Sequence, residues 1–148
     1  MGTPSGSGNP SKPVVLRPGE MPASDRGGGN KTIPLVSGKI GSKQFLNGIT
    51  SIAPGAAIAL HTHNCEESVI VIDGPAIVEL DGEDHTLDTF DTVWVPANVS
   101  HRFKNPSGEK PLRIFWTYAS VDATRTLVAT GETHSIGSEH AKQRCSAS

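Results

Sequence analysis

What this sequence has little of sets the first limits. Only two cysteines, Cys65 and Cys145, occur in 148 residues, and reduced thiols in a cytoplasmic protein are the expectation. No apolar run approaches the roughly 20 residues of a membrane span. The opening MGTPSGSGNPSKP has neither the apolar stretch nor the cleavage pattern of a secretory signal. Neither sign of charge is in excess. The formal net charge is −2, which points away from nucleic-acid and membrane partners. Hydrophobic residues make up 35% of the chain, with the shortfall gathered at its two ends. Helical periodicity is missing as well: no segment before residue 119 repeats its apolar residues at the roughly 3.6-residue spacing of a helix.

What is present is a succession of short β-prone runs. Candidate strands are Thr32–Val36, Phe45–Ile52, Ala57–His63, Ser68–Ile72, Ala76–Leu80, His85–Leu87, Thr92–Val95, His101–Lys104 and Leu112–Tyr118. Turn chemistry separates them, and Asp81-Gly82 is a strong hairpin signal. Many short strands at even spacing predict an all-β sandwich or closed barrel. The chain divides into a flexible segment at 1–30, a β-barrel domain at 31–120 and a polar arm or tail at 121–148. The Gly, Ser and Pro-rich residues 1–13 are expected to be disordered. Val14-Val15-Leu16 offers an edge strand. Residues 17–31 read as turns and linker, because Gly27-Gly28-Gly29 lacks both the spacing of a phosphate loop and a strand-to-helix context. Ala119–Arg125 is read as one helical turn and Thr126–Ala129 as a last strand.

The chemistry is concentrated in GAAIALHTHNCEESVIVIDG, residues 55–74. Residues two apart in a strand face the same way, so His61 and His63 present both imidazoles to one side. Glu67 opens the next apparent strand and His101 opens a later one. Three imidazoles and a carboxylate from neighbouring strands can bind one divalent metal. Such donors suit Fe, Mn, Ni, Zn or Cu better than Mg or Ca, and an octahedral ion held this way keeps two open positions.

The spacing Gly55-x5-His61-x-His63-x3-Glu67-x6-Gly74 resembles the first motif of the cupin superfamily, with no position missing. Pro96, His101 and Asn105 match its second motif, in which Phe90 and Asn98 replace two glycines. The likeness spans residues 45–118. It implies a double-stranded β-helix, the jelly-roll cupin barrel, with His61, His63, Glu67 and His101 around one transition metal. Glu67 keeps the motif spacing on both sides, whereas Glu66 would break it. If Glu67 points inward, Val69 and Val71 follow it. Small cupins of this kind are commonly dimers, and an exposed sheet edge needs covering, so a homodimer is expected.

The implied function is a mononuclear metal enzyme acting on a small chelatable oxo acid, hydroxy acid or enediol, with a dioxygenase as one form. The alternatives are a non-redox isomerase, decarboxylase or lyase and a non-catalytic small-molecule-binding barrel. On LRIFWTYAS, Arg113 shares a face with Phe115 and Thr117, and Tyr118 shares one with Ile114 and Trp116. Tyr118 is a candidate to orient or protonate substrate, against the commoner reading of a packed core aromatic, and Arg113 to clamp a substrate carboxylate, against the commoner reading of a surface ion pair. Asn47 is a candidate to reach the cavity, and Phe103 belongs to an apolar wall. Cys65 reads as a small packed thiol, His85 as surface, and His134 and His140 as tail residues.

Overall fold

The computed structural model describes residues 12–139. Twelve strands follow in order: β1 (Ser24–Gly27), β2 (Asn30–Pro34), β3 (Leu46–Ile52), β4 (His61–His63), β5 (Glu67–Asp73), β6 (Ala76–Leu80), β7 (Glu83–Leu87), β8 (Thr92–Val95), β9 (His101–Lys104), β10 (Leu112–Tyr118), β11 (Thr124–Leu127) and β12 (Thr133–Ser135). They form two six-stranded sheets ordered β1-β2-β3-β10-β5-β8 and β12-β11-β4-β9-β6-β7, with every pairing antiparallel. This is the expected double-stranded β-helix. No helix among the described residues is long and apolar enough to cross a membrane.

Period-two burial builds the interior. Glu67, Val69 and Val71 of β5, Leu112, Ile114, Trp116 and Tyr118 of β10, and Leu46, Thr50 and Ile52 of β3 all point inward and are buried. Gly48 sits opposite Trp116, and a Cβ there would lie 2.5 Å from the indole and 2.6 Å from the Ile33 carbonyl oxygen. Glycine is therefore what lets Trp116 lie flat on β3. The indole N–H donates to Thr50 Oγ1 at 2.8 Å, so the buried polar tip of the ring is satisfied. The β6–β7 hairpin turns at Asp81 and Gly82, both at positive φ, as the sequence predicts.

Several expectations need correcting. Ser24–Gly27 and Thr133–Ser135, within stretches read as flexible, are strands. Their composition gives little β signal, and they form because β2 and β11 supply partners. The three glycines are the β1–β2 turn, all at positive φ. Only His61–His63 of the Ala57–His63 run is a strand. Before it, Ala57 makes an isolated bridge to Lys104, and Ile58 N–H donates to the Phe103 carbonyl. Residues 119–123 form turn and bend rather than helix, and the following strand starts at Thr124. Val14-Val15-Leu16 is not in a strand, and Val14 and Val15 are exposed. The disorder expected for residues 1–13 falls mostly outside the described residues, as do His140 and Cys145.

Both departures from the second motif keep its turns. Phe90 has φ 76° and Asn98 φ 67°. Asn98 tolerates this region through its short polar side chain. Phe90 holds it with the ring in solvent while its N–H donates to the Val71 carbonyl. Asn105 is a structural pin: buried, it donates to the carbonyls of Ile52, Ala53 and Lys110 and accepts from Ser107 N–H.

Candidate metal centre

Strand parity and register bring four predicted residues to one place between the sheets. His61 and His63 are the two inward positions of β4, and His61 lies directly across from His101 of β9. Glu67 enters from the opposite sheet, flanked by Val95 of β8 and Tyr118 of β10. All four are at least 95% buried. The His61 and His101 rings are 4.4 Å apart between centroids, and those of His63 and His101 are 5.2 Å apart.

The hydrogen bonds fix which nitrogen faces the centre. Nδ1 of His61 meets the Ala59 carbonyl at 2.7 Å, Nδ1 of His63 the Thr124 carbonyl at 2.9 Å, and Nδ1 of His101 the Val99 carbonyl at 2.9 Å. A carbonyl can only accept, so each Nδ1 carries a proton and, in the neutral ring, each Nε2 presents a lone pair. Ligand nitrogens of the three histidines lie within 4.8 Å of one another. Glu67 Oε1 is 2.8 Å from His101 Nε2 and 3.4 Å from His63 Nε2, yet His63 Nε2 is buried without a hydrogen bond.

Burial keeps the His61 and His63 rings in their neutral, ligating form. Burial, followed by the nearby charge of Arg125 and then the other two histidines, pushes the His61 pKa well below its ordinary value. Burial lowers His63 to about 4, outweighing the opposing pull of Glu67. His101 Nε2 and Glu67 Oε1 share a hydrogen bond, but His63 Nε2, in the same cluster of three Nε2 atoms and a carboxylate, has no protein hydrogen-bond partner. A divalent cation supplies one. The residues fit a metal ion.

Tyr118 is buried beside this cluster, its ring 4.5 Å from that of His63 and 4.9 Å from Trp116 in a stacked pair. Burial raises the phenol pKa, so the group stays protonated. Phe103 is part of the apolar wall. Arg113 does not join the site: it lies on the outer face of β10, about half exposed, with its Nε 2.6 Å from Asp73. The fixing of Trp116 inside sets this parity and turns Arg113 out. Asn47 is likewise on the outer parity of β3, accepting from Val36 N–H. Glu66 accepts from the exposed Trp94 indole. Cys65 is half-buried, with burial raising its pKa. His85 and His134 are exposed beside Glu83 and Glu132.

Three charged residues near the centre escaped the sequence reading. Arg125 of β11 is in register with His63 of β4. Arg26 of β1 and Glu139 join it from the two ends of the described chain. Only the order β11-β4 would have given Arg125 away, and no local pattern encodes it.

A model of the cupin domain matches residues 48–118. The chain is 30% identical over 105 residues to polyketide synthase CurC of Streptomyces cyaneus, covering 70% of this chain and 68% of that protein. It is 31% identical over 97 residues to protein SchB of Streptomyces halstedii, covering 65% and 70%. Among solved structures, the polyketide cyclase RemF from Streptomyces resistomycificus superposes with a TM-score of 0.69 at 14% identity, over 84% of this chain and 86% of that one.

Proposed function

The chain belongs to the cupin superfamily, and from that premise we propose that it is a mononuclear metal-dependent enzyme acting on a small oxygenated organic substrate. One observation carries the reading. Three Nδ1-protonated imidazoles converge beside a carboxylate, and the buried His63 Nε2 has no hydrogen-bond partner. His61, His63, Glu67 and His101 would hold the ion, with Fe, Mn, Ni and Zn the metals this set suits. When bound, it would supply Lewis-acid stabilisation of charge developing on a substrate carbonyl or enediol oxygen.

The remaining work falls to the chain itself. Three backbone carbonyls lock the imidazole orientations through Nδ1. The Tyr118 phenol, kept neutral by burial, serves as a proton or hydrogen-bond donor rather than as a phenolate base. Val69, Val95 and Phe103 belong with Tyr118 to one buried apolar cluster.

A dioxygenase and a redox-neutral enolate reaction draw on the same residues. The similarity to a protein named polyketide synthase favours the redox-neutral form, with a polycarbonyl or hydroxy-acid substrate. Elemental analysis of protein purified without chelators is the first test, beside a His61→Ala, His101→Ala variant. Near-stoichiometric metal lost in the variant is expected, and no metal in either protein would sink the assignment. Oxygen consumption during turnover then separates the two forms. A homodimer belongs to the same proposal, because exposed Trp94 on β8 and exposed Phe90 just before it lie at the last strand of its sheet among the described residues. Light scattering that returns a monomer mass would remove it.

A further inference from the structure

Beside the histidine centre lies a cavity of about 350 Å³ whose walls include Arg26, Thr32, Thr50, Ile58, Ala59 and Arg125. None of the three histidines lines it. Two residues tie it to them: the Ala59 carbonyl holds His61 Nδ1, and Arg125 pairs across from His63. Arg26 and Arg125 arrive from β1 and β11, strands of different sheets. Both guanidinium groups face one carboxylate, Glu139, at 3.2 Å from Arg26 Nη2 and 3.6 Å from Arg125 Nε. Side-chain exposure is only 15%, 12% and 15% for Arg26, Arg125 and Glu139.

The charges do not balance. Among the described residues two largely buried cations share one anion, and the Arg125 Nε atom is buried with no hydrogen-bond partner. An unpaired charge in such a place is costly to the fold. The imbalance also appears in Arg26, whose pKa is lowered first by burial and then by Arg125, both ahead of the opposing pull of Glu139. A structural ion pair would match its charges. Among the described residues this arrangement has one cation more than it has anions, and the Arg125 Nε–H is 3.6 Å from Glu139 without a hydrogen bond.

We propose that Arg26 and Arg125 form a subsite for the carboxylate of a small organic acid in this cavity, and that Glu139 stands in for that carboxylate when no ligand is bound. The proposal deepens the metal-enzyme reading by naming the substrate class, a carboxylic acid whose reactive oxygen reaches the adjacent histidine centre. A carboxylate is favoured over other anions because these donors already hold one, and the guanidinium fork matches its geometry. Ile58 offers an apolar surface to the rest of such a molecule. The clamping role for which Arg113 was one candidate thereby falls to residues that the fold, rather than local sequence, brings together.

The test is isothermal titration of the full chain as purified with benzoate, its neutral isostere benzamide and inorganic phosphate, at low chloride and at two metal contents. Benzoate should bind and benzamide should not. Glu139→Gln removes the internal competitor and should tighten benzoate several-fold, and Arg125→Met should weaken it by about tenfold or more. These changes should be the same at both metal contents, so failure of the metal reading leaves this result standing and the reverse. Absence of benzoate binding in both the parent and a folded Glu139→Gln variant would overturn the subsite. Weaker binding in Glu139→Gln would do the same, because it makes Glu139 part of a fixed clamp. Phosphate binding tighter than benzoate would overturn the carboxylate assignment.

Discussion

Along β5 and β10 the inward side chains change character from one end of the barrel to the other. Glu67 pairs with Tyr118, Val69 with Trp116 and Val71 with Ile114, while Leu112 meets Ile52 on β3. The Leu112 end packs mainly hydrocarbon, including Ile52, Val71 and Ala76, all essentially without solvent contact, with Asn105 bonded only to backbone there. The Glu67 end is just as buried but holds three histidines, a carboxylate and a phenol. Equal burial thus means opposite things. At the Leu112 end it yields hydrophobic stabilisation of roughly 25 cal/mol per Å² of apolar surface. At the Glu67 end it opposes charging of His61 and His63, and fold stability is traded for ligands that stay neutral. Arg26, Arg125 and Glu139 extend the same trade into the neighbouring cavity.

The largest effect that tests this contrast should come from the apolar end. Leu112→Ala removes a 1% exposed side chain from packed surroundings, and a loss of about 3 kcal/mol is expected, within the range of roughly 2–5 for buried Leu→Ala changes. Urea unfolding measures it. Metal content of the folded protein should not change, and coupled loss of metal would show that the two ends are not separable.

Acid should break the polar end selectively. Well above pH 6.5 His61 and His63 are neutral in folded and unfolded chains alike, so these two give no pH dependence there. Below it the unfolded chain takes up protons that folded His63 resists until about pH 4. The unfolded state then binds more protons, so stability falls as pH drops through that window. For His63 the effect reaches about 3 kcal/mol. The urea midpoint of metal-free protein should decline between pH 6.5 and 4, and His63→Gln should flatten part of the slope. An unchanged slope in that variant would mean that His63 is not held neutral by burial.

Tyr118→Phe should do less. It deletes one hydroxyl from a ring whose stacking on Trp116 remains, so about 1 kcal/mol of stability is at stake. If the phenol serves as proton donor, the loss should appear in kcat rather than KM.

These contrasts also explain what could be read without coordinates. His61 and His63 were legible as one face because a period of two is a local property, and Glu67 through its place in the spacing of the cupin motif. The carbonyls that fix the rings were not, because Thr124 reaches His63 only through the pairing of β4 with β11. The same holds for Arg125, and for Arg26 on a strand whose residues, Ser24 to Gly27, carry no β propensity. On β10 both faces were visible in the sequence, but only the seating of Trp116 against Gly48 and Thr50 decides which one is inside.

Arg113→Ala is the smallest expected effect and the sharpest check on that decision. Arg113 and Trp116 lie three apart on one strand and therefore on opposite faces. Arg113 Nε meets Asp73 at 2.6 Å, but the two side chains are 49% and 54% exposed. Water and salt screen such a pair, and exposed ion pairs contribute about 0–1 kcal/mol. The urea midpoint should move little, metal content should stay constant, and KM for an acid substrate should be unchanged. Arg125→Met, on β11, should raise that KM. If the two variants exchanged roles, with Arg113→Ala raising KM, β10 would have to present its other face to the cavity. Trp116 and Tyr118 would then lie outside, and the contrast between the two ends of the barrel would fail with them.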